Sequence, residues 1–351
     1  MAQALQLAAL GLHSTSPNPR VGCVIVREGK IIGEGWHQRA GTAHAEVHAL
    51  QQAGAAARDA TVYVTLEPCF HQGRTPPCAD ALVAAGVGRV VAAMVDPNPQ
   101  VNGRGLAQLQ AAGISVEYGL MEESARELNL GFIARMTRGR PWVRSKIAAS
   151  MDGKTALANG VSQWITGAAA RRDVQAWRAQ SCAILTGVGT VLADDPQLNV
   201  RDIETPRQPL RVVVDSQLRT PPSAKILRGG ALIVSAMADA SKMQALCDAG
   251  AEVLVLPGTD GRVDLMRLLQ RLAERGVNNL MVEAGARLNG ALLEAGLLDE
   301  LVMYLAPMLL GDTARGLFAL PAFNKMDERK NLNLRDVRQV GNDMRVIARV
   351  T

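Results

Sequence analysis

The stretch His44–Cys78 reads HAEVHALQQAGAAARDATVYVTLEPCFHQGRTPPC. A helix opening near His44, an apolar strand TVYVTLEP and a second helix opening at Cys78 alternate within it. Strands separated by single helices predict a largely parallel sheet with helices on both faces, and chemistry gathers where strands end and helices begin. His44 and Cys78 begin helices and Cys69 ends the strand, so all three converge on one sheet edge. Two thiols and an imidazole form the ligand set of a catalytic zinc site, which keeps one position open. Glu46 lies two residues beyond His44, placed to reach that open position without ligating the metal.

Zinc lowers the pKa of a water at the open position, and a neighbouring carboxylate can carry that water's proton to a leaving group. H-x-E, then a strand, then Pro-Cys is the order found in zinc-dependent hydrolytic deamination of nucleobases. The common pattern there is Cys-x-x-Cys, whereas eight residues separate Cys69 from Cys78. A structural zinc site would need a fourth ligand, for which His48 and His71 are the nearby candidates. His48 shares a helix face with His44, four residues on.

The 351 residues are enough for two domains of ordinary size. Hydrophobic residues make up 48% and charged residues 20%, a globular composition. No apolar run is long enough to span a bilayer, and MAQALQLAAL lacks the basic start of a signal peptide. A cytoplasmic enzyme without membrane partners is therefore expected. Five cysteines without paired spacing argue against a disulfide framework. The net charge of +5 is spread thinly: residues 1–140 hold 12 Lys+Arg against 11 Asp+Glu, and residues 141–351 hold 26 against 22. With only 3% aromatic residues and no basic cluster, nucleic acid is not an expected partner.

Working outward, residues 2–12 read as a helix, and SPNPR then holds Asn18 in an extended loop where its amide can read a heterocycle edge. VGCVIV and IIGEGW form a hairpin, after which comes His37. Beyond Cys78 the spacing predicts a helix to Ala85, strand 89–95, helix 104–112, strand 114–118 and one helix from Glu122 to Arg138. TRGRP punctuates the chain, and a domain boundary is expected near 140, giving domains 1–140 and 141–351. The second set contains the strands WVRSKIAAS, AILTGVGTVL, LRVVVDS, ALIVSA, AEVLVLP, NNLMVEAG and ELVMYLAPML. Helices 168–180, 241–249, 264–275 and 286–295 lie among them, and a hairpin closes the chain as an antiparallel edge. MVEAGARLNGALL and LTGVGTVLADD each place a glycine turn where a helix N-terminus can hold an anion, although neither has Gly-x-Gly-x-x-Gly spacing.

PNPRVGCVIV, GEGWHQRAGTAHAEVHAL, TLEPCFHQGRTPPC, DPNPQVNGRGL, SMDGKTA, SQWIT, TVLADDPQLNVR and VEAG together resemble the RibD (RibG) family of bifunctional riboflavin-biosynthesis proteins over nearly the whole chain. The resemblance implies an α/β fold in two parts, an N-terminal cytidine-deaminase-like α/β/α domain and a C-terminal dihydrofolate-reductase-like α/β domain. It implies zinc-dependent deamination of 2,5-diamino-6-(5-phosphoribosylamino)pyrimidin-4(3H)-one, then NADPH-dependent reduction of the product's ribosyl group to ribityl. His44, Cys69 and Cys78 match the family's zinc ligands and Glu46 its proton carrier; the wide cysteine spacing is the family's own.

Asn18, His37 and Arg74 match positions that meet the deaminase substrate. Ser162, Arg178, Leu198, Arg201 and Glu283 match reductase substrate positions, the two arginines suited to a phosphate, with Lys146 beside the ribose. Ala148, Trp164, Thr190, Asp194, Ser216 and the turn Gly285, Ala286, Arg287, Leu288, Asn289, Gly290 and Ala291 match NADP positions. The expected partners are small phosphoribosyl-pyrimidines and further copies of the chain, joined through the reductase domain. Phe70 stands where the family usually has serine. Without the resemblance, Trp164 and Leu198 read as core and Arg178 as a solvated helix face. A tRNA adenosine deaminase would share H-x-E and Pro-Cys but want a basic face and no second domain. A binding protein built on inactive domains would have no need of Glu46.

Overall fold

The two-residue turn Glu28-Gly29 sets the first feature of the fold. Both residues have positive φ (52° and 76°), the conformation that joins twisted antiparallel strands most directly. The computed structural model describes residues 1–70 and 77–351. The chain divides into two compact units, Met1–Arg140 and Pro141–Thr351.

The first unit runs α1 (Ala2–Ala9), β1 (Gly22–Arg27), β2 (Lys30–Trp36), α2 (Ala45–Ala53), β3 (Thr61–Val64), α3 (Cys78–Ala84), β4 (Arg89–Ala92), α4 (Arg104–Ala111), β5 (Ser115–Tyr118), α5 (Glu122–Leu128) and α6 (Leu130–Arg138). Its sheet has the order β2-β1-β3-β4-β5. Only β3, β4 and β5 are parallel; β1 is antiparallel to both neighbours, so the sheet is mixed rather than largely parallel. Ile25, Val62, Val64, Leu82, Val90 and Leu109 form the core beneath α2, α3 and α4. Each such side chain contributes about 1.5–3 kcal/mol on burial. Gly35 on β2 lets α2 lie directly on the strand, since a Cβ there would come within 2.2 Å of the Ala45 carbonyl oxygen.

The expected single helix from Glu122 to Arg138 is broken at Asn129, whose backbone leaves the helical region (φ −121°, ψ 18°). The Asn129 side chain accepts from Arg20 N at 2.8 Å and donates to Arg20 O at 3.0 Å. A buried amide serving a distant backbone pair outweighs one more turn of helix.

The second unit runs β6 (Trp142–Ser150), β7 (Lys154–Ala156), α7 (Ala168–Gln180), β8 (Ala183–Gly187), α8 (Val188–Asp194), β9 (Leu210–Val214), β10 (Ala231–Ser235), α9 (Ala240–Asp248), β11 (Ala251–Val255), α10 (Leu265–Glu274), β12 (Asn279–Val282), α11 (Ala286–Glu294), β13 (Glu300–Ala306), β14 (Arg315–Gly316), β15 (Leu332–Val340) and β16 (Asp343–Val350). Its nine-stranded sheet has the order β11-β10-β9-β8-β12-β6-β13-β16-β15. It is parallel from β11 to β13, and β16 is antiparallel to both its neighbours. The segment AILTGVGTVL is not one strand. It turns at Gly187 into α8, which buries Val188 and Val191 at helical spacing. Asp239 and Asp264 cap α9 and α10 by accepting from Lys242 N and Arg267 N. No helix among the described residues is long and apolar enough to cross a membrane.

Candidate active sites

His44 is the N-cap of α2 and Cys78 the first residue of α3. Cys69 lies past the end of β3, which stops at Val64, so it sits on the irregular segment that follows rather than closing the strand. His44 Nδ1 is 3.2 Å from Cys78 Sγ and 3.6 Å from Cys69 Sγ, and Cys78 N–H donates to Cys69 Sγ at 3.3 Å. The ligating atoms all lie within 4.8 Å of one another. Tetrahedral zinc with ordinary bond lengths holds such atoms roughly 3.5–3.8 Å apart. The hydrogen bond from the Cys78 thiol, aided by His44 and the Cys78 backbone, holds the Cys69 thiol well below its ordinary range.

Glu46 is 3% exposed, and its Oε2 is buried with no hydrogen-bond partner among the described residues. Burial, with the charge of Cys69, pushes its carboxyl up to about 7. A buried unpaired carboxylate oxygen beside two thiols and an imidazole fits a metal ion with one open position.

His37 is buried and meets the His44 ring edge-on at 5.2 Å between centroids. His37 Nδ1–H donates to Ala43 O at 3.1 Å, and Nε2 accepts from Asn18 Nδ2 at 3.0 Å. Burial lowers the pKa of His37, which keeps this tautomer neutral. Asn18 and His37 thus stand together beside the cluster. His48 is not part of it: among the described residues the metal-ligating group is His44, Cys69 and Cys78. His71 and Arg74 lie outside the described residues.

Sequence reading passed over Glu67. It is 3% exposed, and its carboxylate accepts backbone N–H groups from Asp96, Gly103, Gly105 and Leu106. The available signal was the one charged residue in the strand-like run TVYVTLEP.

In the second unit Arg178 is buried, not solvated. Its Nε donates to Glu283 Oε1 at 2.6 Å, its Nη2 to Glu283 Oε2 at 3.0 Å and its Nη1 to Asn199 O at 3.0 Å. The fork expected to meet a phosphate is engaged with a carboxylate in this structure, through its Nε and Nη2. Lys146 Nζ lies 4.0 Å from Glu283 Oε2. Burial works against the Glu283 charge, but Arg178, Lys146 and Arg201 together hold its carboxyl below the ordinary range. Burial lowers Lys146 in turn, with Glu283 opposing. Arg201 is exposed, anchored through its backbone N–H to Gln175 Oε1 at 2.9 Å. Leu198 is buried with φ 48°, a conformation disfavoured for a branched side chain. Ser162 is half-buried.

The two glycine turns are neighbours, since a Cβ on Gly187 would lie 3.6 Å from Leu288 Cδ2. Gly285 is the exposed N-cap of α11, which has no side-chain cap, and Arg287 is exposed on its first turn. Uncapped N–H groups beside an arginine fit an anionic cofactor. Ala286, Leu288 and Ala291 are half-buried. Asn289 faces inward: Oδ1 accepts from Ser145 Oγ at 2.8 Å and Nδ2 donates to Ala284 O at 3.0 Å. Gly290 also faces inward, where a Cβ would meet Ala319 O at 2.2 Å. These two shape the turn. Trp164 is 69% exposed rather than core, with Arg171 stacked 4.6 Å from its ring centroid. Ala148 and Thr190 are half-buried and Asp194 exposed, while the Ser216 hydroxyl accepts from Val263 N at 3.2 Å.

Residues 1–94 match the family model described as the cytidine and deoxycytidylate deaminase zinc-binding region, and residues 141–346 match the RibD C-terminal domain. The riboflavin biosynthesis protein RibD of Escherichia coli (strain K12) is 52% identical, covering 98% of this chain and 96% of its own. The chain belongs to the RibD family. The solved structure of Acinetobacter baumannii RibD, form 1, is 48% identical with a TM-score of 0.92, covering 100% of this chain and 97% of that one. A Thermotoga maritima structure is 31% identical with a TM-score of 0.89 over 100% of this chain and 97% of that one. It is named a diaminohydroxyphosphoribosylaminopyrimidine deaminase/5-amino-6-(5-phosphoribosylamino)uracil reductase. As a RibD-family member carrying both halves, the chain is a bifunctional deaminase and reductase of riboflavin biosynthesis, with zinc and NADPH as its cofactors.

Proposed function

We propose that residues 1–140 deaminate 2,5-diamino-6-(5-phosphoribosylamino)pyrimidin-4(3H)-one and that residues 141–351 reduce the ribosyl group of 5-amino-6-(5-phosphoribosylamino)uracil. The observation that carries this reading is the gathering of His44, Cys69 and Cys78 beside a buried, half-unpaired Glu46. His44, Cys69 and Cys78 would hold zinc, which supplies Lewis acidity and activates water at neutral pH. Glu46 takes a proton from the attacking water and delivers it to the departing nitrogen; burial suits it to both directions of transfer. Asn18 and His37 orient the heterocycle, His37 as a neutral imidazole fixed by Ala43 O.

In the second half, Gly285–Ala291, Gly187's turn, Ala148, Trp164, Thr190, Asp194 and Ser216 would accommodate NADPH, which supplies the hydride. Asn289 and Gly290 serve by shaping the turn. Lys146 and Glu283 meet the ribose, Arg178 fixes Glu283, and Ser162, Leu198 and Arg201 line the substrate's remaining length. The phosphate falls chiefly to Arg201, because Arg178 is buried and already donates one N–H from each of its three nitrogens to Glu283 and Asn199, while Arg201 is exposed. Free cysteines support a cytoplasmic setting. A homo-oligomer through the second unit is favoured by β15, a nine-residue edge strand exposing Leu332, Leu334 and Val337. Zinc analysis, ammonia release from the diaminopyrimidine and NADPH oxidation on its deaminated product test the assignment. Ammonia release that survives complete removal of zinc would overturn it.

A further inference from the structure

The segment carrying Cys69 is held from a side that the reaction does not use. Glu67 Oε2 accepts Asp96 N–H at 3.0 Å and Gly103 N–H at 2.9 Å, while Oε1 accepts Gly105 N–H at 2.8 Å and Leu106 N–H at 3.4 Å. One residue on, the Pro68 carbonyl lies so close to Gly105 that a Cβ there would stand 2.0 Å from its oxygen. On the other side of Cys69, the Arg104 guanidinium lies 5.8 Å from the centroid of the Phe70 ring. Three residues flanking the cysteine therefore touch the one short segment Gly103–Leu106. With β3 finished at Val64, this segment fixes where Cys69 stands.

We infer that Glu67 is a positioning residue for the metal centre, clamping the Cys69 segment to the first turn of α4 so that the sulfur stands where the ion requires it. The inference rests on the reading of His44, Cys69 and Cys78 as zinc ligands. A carboxylate is the group this place demands. Four N–H donors need four lone pairs, and an ionised carboxylate supplies them with charge-assisted bonds. Glutamine has the same shape but would aim an NH2 at two of those donors, so the isosteric variant breaks half the clamp. Phe70, where serine is usual, adds an aromatic surface under Arg104 on the same side.

The experiment compares full-length wild type, Glu67→Gln and Gly105→Ala. The last keeps the carboxylate but forces the Pro68 carbonyl away. Three measurements apply: zinc hold by competition with a chromophoric chelator, the thiolate-to-cobalt absorption band of the Co(II)-loaded protein, and kcat and KM for deamination. NADPH-dependent reduction by the second unit monitors integrity. Both variants should hold zinc roughly 10- to 100-fold more weakly. They should also shift the cobalt band at saturating metal and lose deaminase kcat with KM little changed, while reduction persists. A cobalt band and zinc hold identical to wild type in both variants would overturn the inference. Should Glu67→Gln fail to fold, Gly105→Ala decides alone, and an unshifted band there overturns it equally. A wild type that takes up neither metal would instead sink the metal reading itself.

Discussion

The two clusters differ in what their buried charges already have. In the first unit the donors of His44, Cys69 and Cys78 crowd together, and one oxygen of the buried Glu46 has no partner among the described residues. In the second, Arg178 and Glu283 meet through two hydrogen bonds, with Lys146 alongside. On the proposed reading the first cluster is completed by a metal and a water, whereas the charges of the second are already paired with one another. An unpaired buried polar group costs about 1–3 kcal/mol, which a folding chain tolerates where a ligand later makes the bond. A paired one can hold geometry without a ligand. Removing a member should thus abolish chemistry in the first unit and undermine the fold in the second.

The largest effect should follow from Cys78→Ala. Zinc analysis should find the metal lost and ammonia release at background, while NADPH-dependent reduction of deaminated substrate continues. Retained zinc at wild-type stoichiometry would show that Cys78 is no ligand. Next comes Glu46→Gln, which keeps the ion but removes the proton carrier, for an expected loss of ~10² to 10⁴ in deamination rate. Near-normal turnover by a zinc-loaded Glu46→Gln protein would remove Glu46 from the mechanism.

Arg178→Ala breaks the comparison from the other side. It strands the Glu283 carboxylate in a buried place, at an expected cost of about 3–5 kcal/mol in stability, read by urea denaturation. Glu283→Gln should cost less. The pH dependence has a definite sign. Folded Glu283 titrates below its ordinary value of 4.5, so its contribution is complete above that pH and is lost as pH falls through the folded value. The wild type should lose stability on acidification below pH 4.5 by more than Glu283→Gln does. Equal acid sensitivity would mean that the pair carries no linkage.

The difference also explains what was legible beforehand. The ligand types His44, Cys69 and Cys78 announce themselves by their chemistry within one short stretch, and Glu46 lies two residues from one of them. Arg178 and Glu283 are 105 residues apart, and nothing in the helix around Arg178 signals a carboxylate awaiting it. The clamp on Glu67 was hidden in the same way, its donors lying 29 to 39 residues further along. Asn129 broke a helix whose local pattern was continuous, because its partner Arg20 is 109 residues away. Trp164 read as core on hydropathy, yet its exposed ring lies against Arg171. Helix and strand periodicities, being local, located most elements to within a few residues. The hairpin was visible in its glycine turn, whereas the antiparallel pairing of β1 with β3 was not.

The smallest effect should come from Arg201→Ala, and it separates the two roles first assigned jointly to Arg178 and Arg201. Hydride transfer needs the ribosyl C1′ held near the nicotinamide, and the terminal phosphate is the charged handle at the substrate's far end. Binding energy from such a remote group positions the reacting centre, so its loss lowers turnover as well as affinity. Arg178 donates one N–H from each of its three nitrogens to Glu283 and Asn199, whereas Arg201 is exposed and is anchored through its backbone to Gln175. A charge-assisted arginine–phosphate contact contributes about 1.5–3 kcal/mol, so Arg201→Ala should cost roughly 10- to 150-fold in kcat/KM with the phosphorylated substrate. NADPH affinity should stay at its wild-type value, and so should the urea midpoint, which Arg178→Ala is expected to lower. On dephosphorylated substrate the wild type and Arg201→Ala should perform equally. If Arg201→Ala is as impaired there as on the natural compound, Arg201 serves the cofactor or the fold, and the phosphate must be held elsewhere.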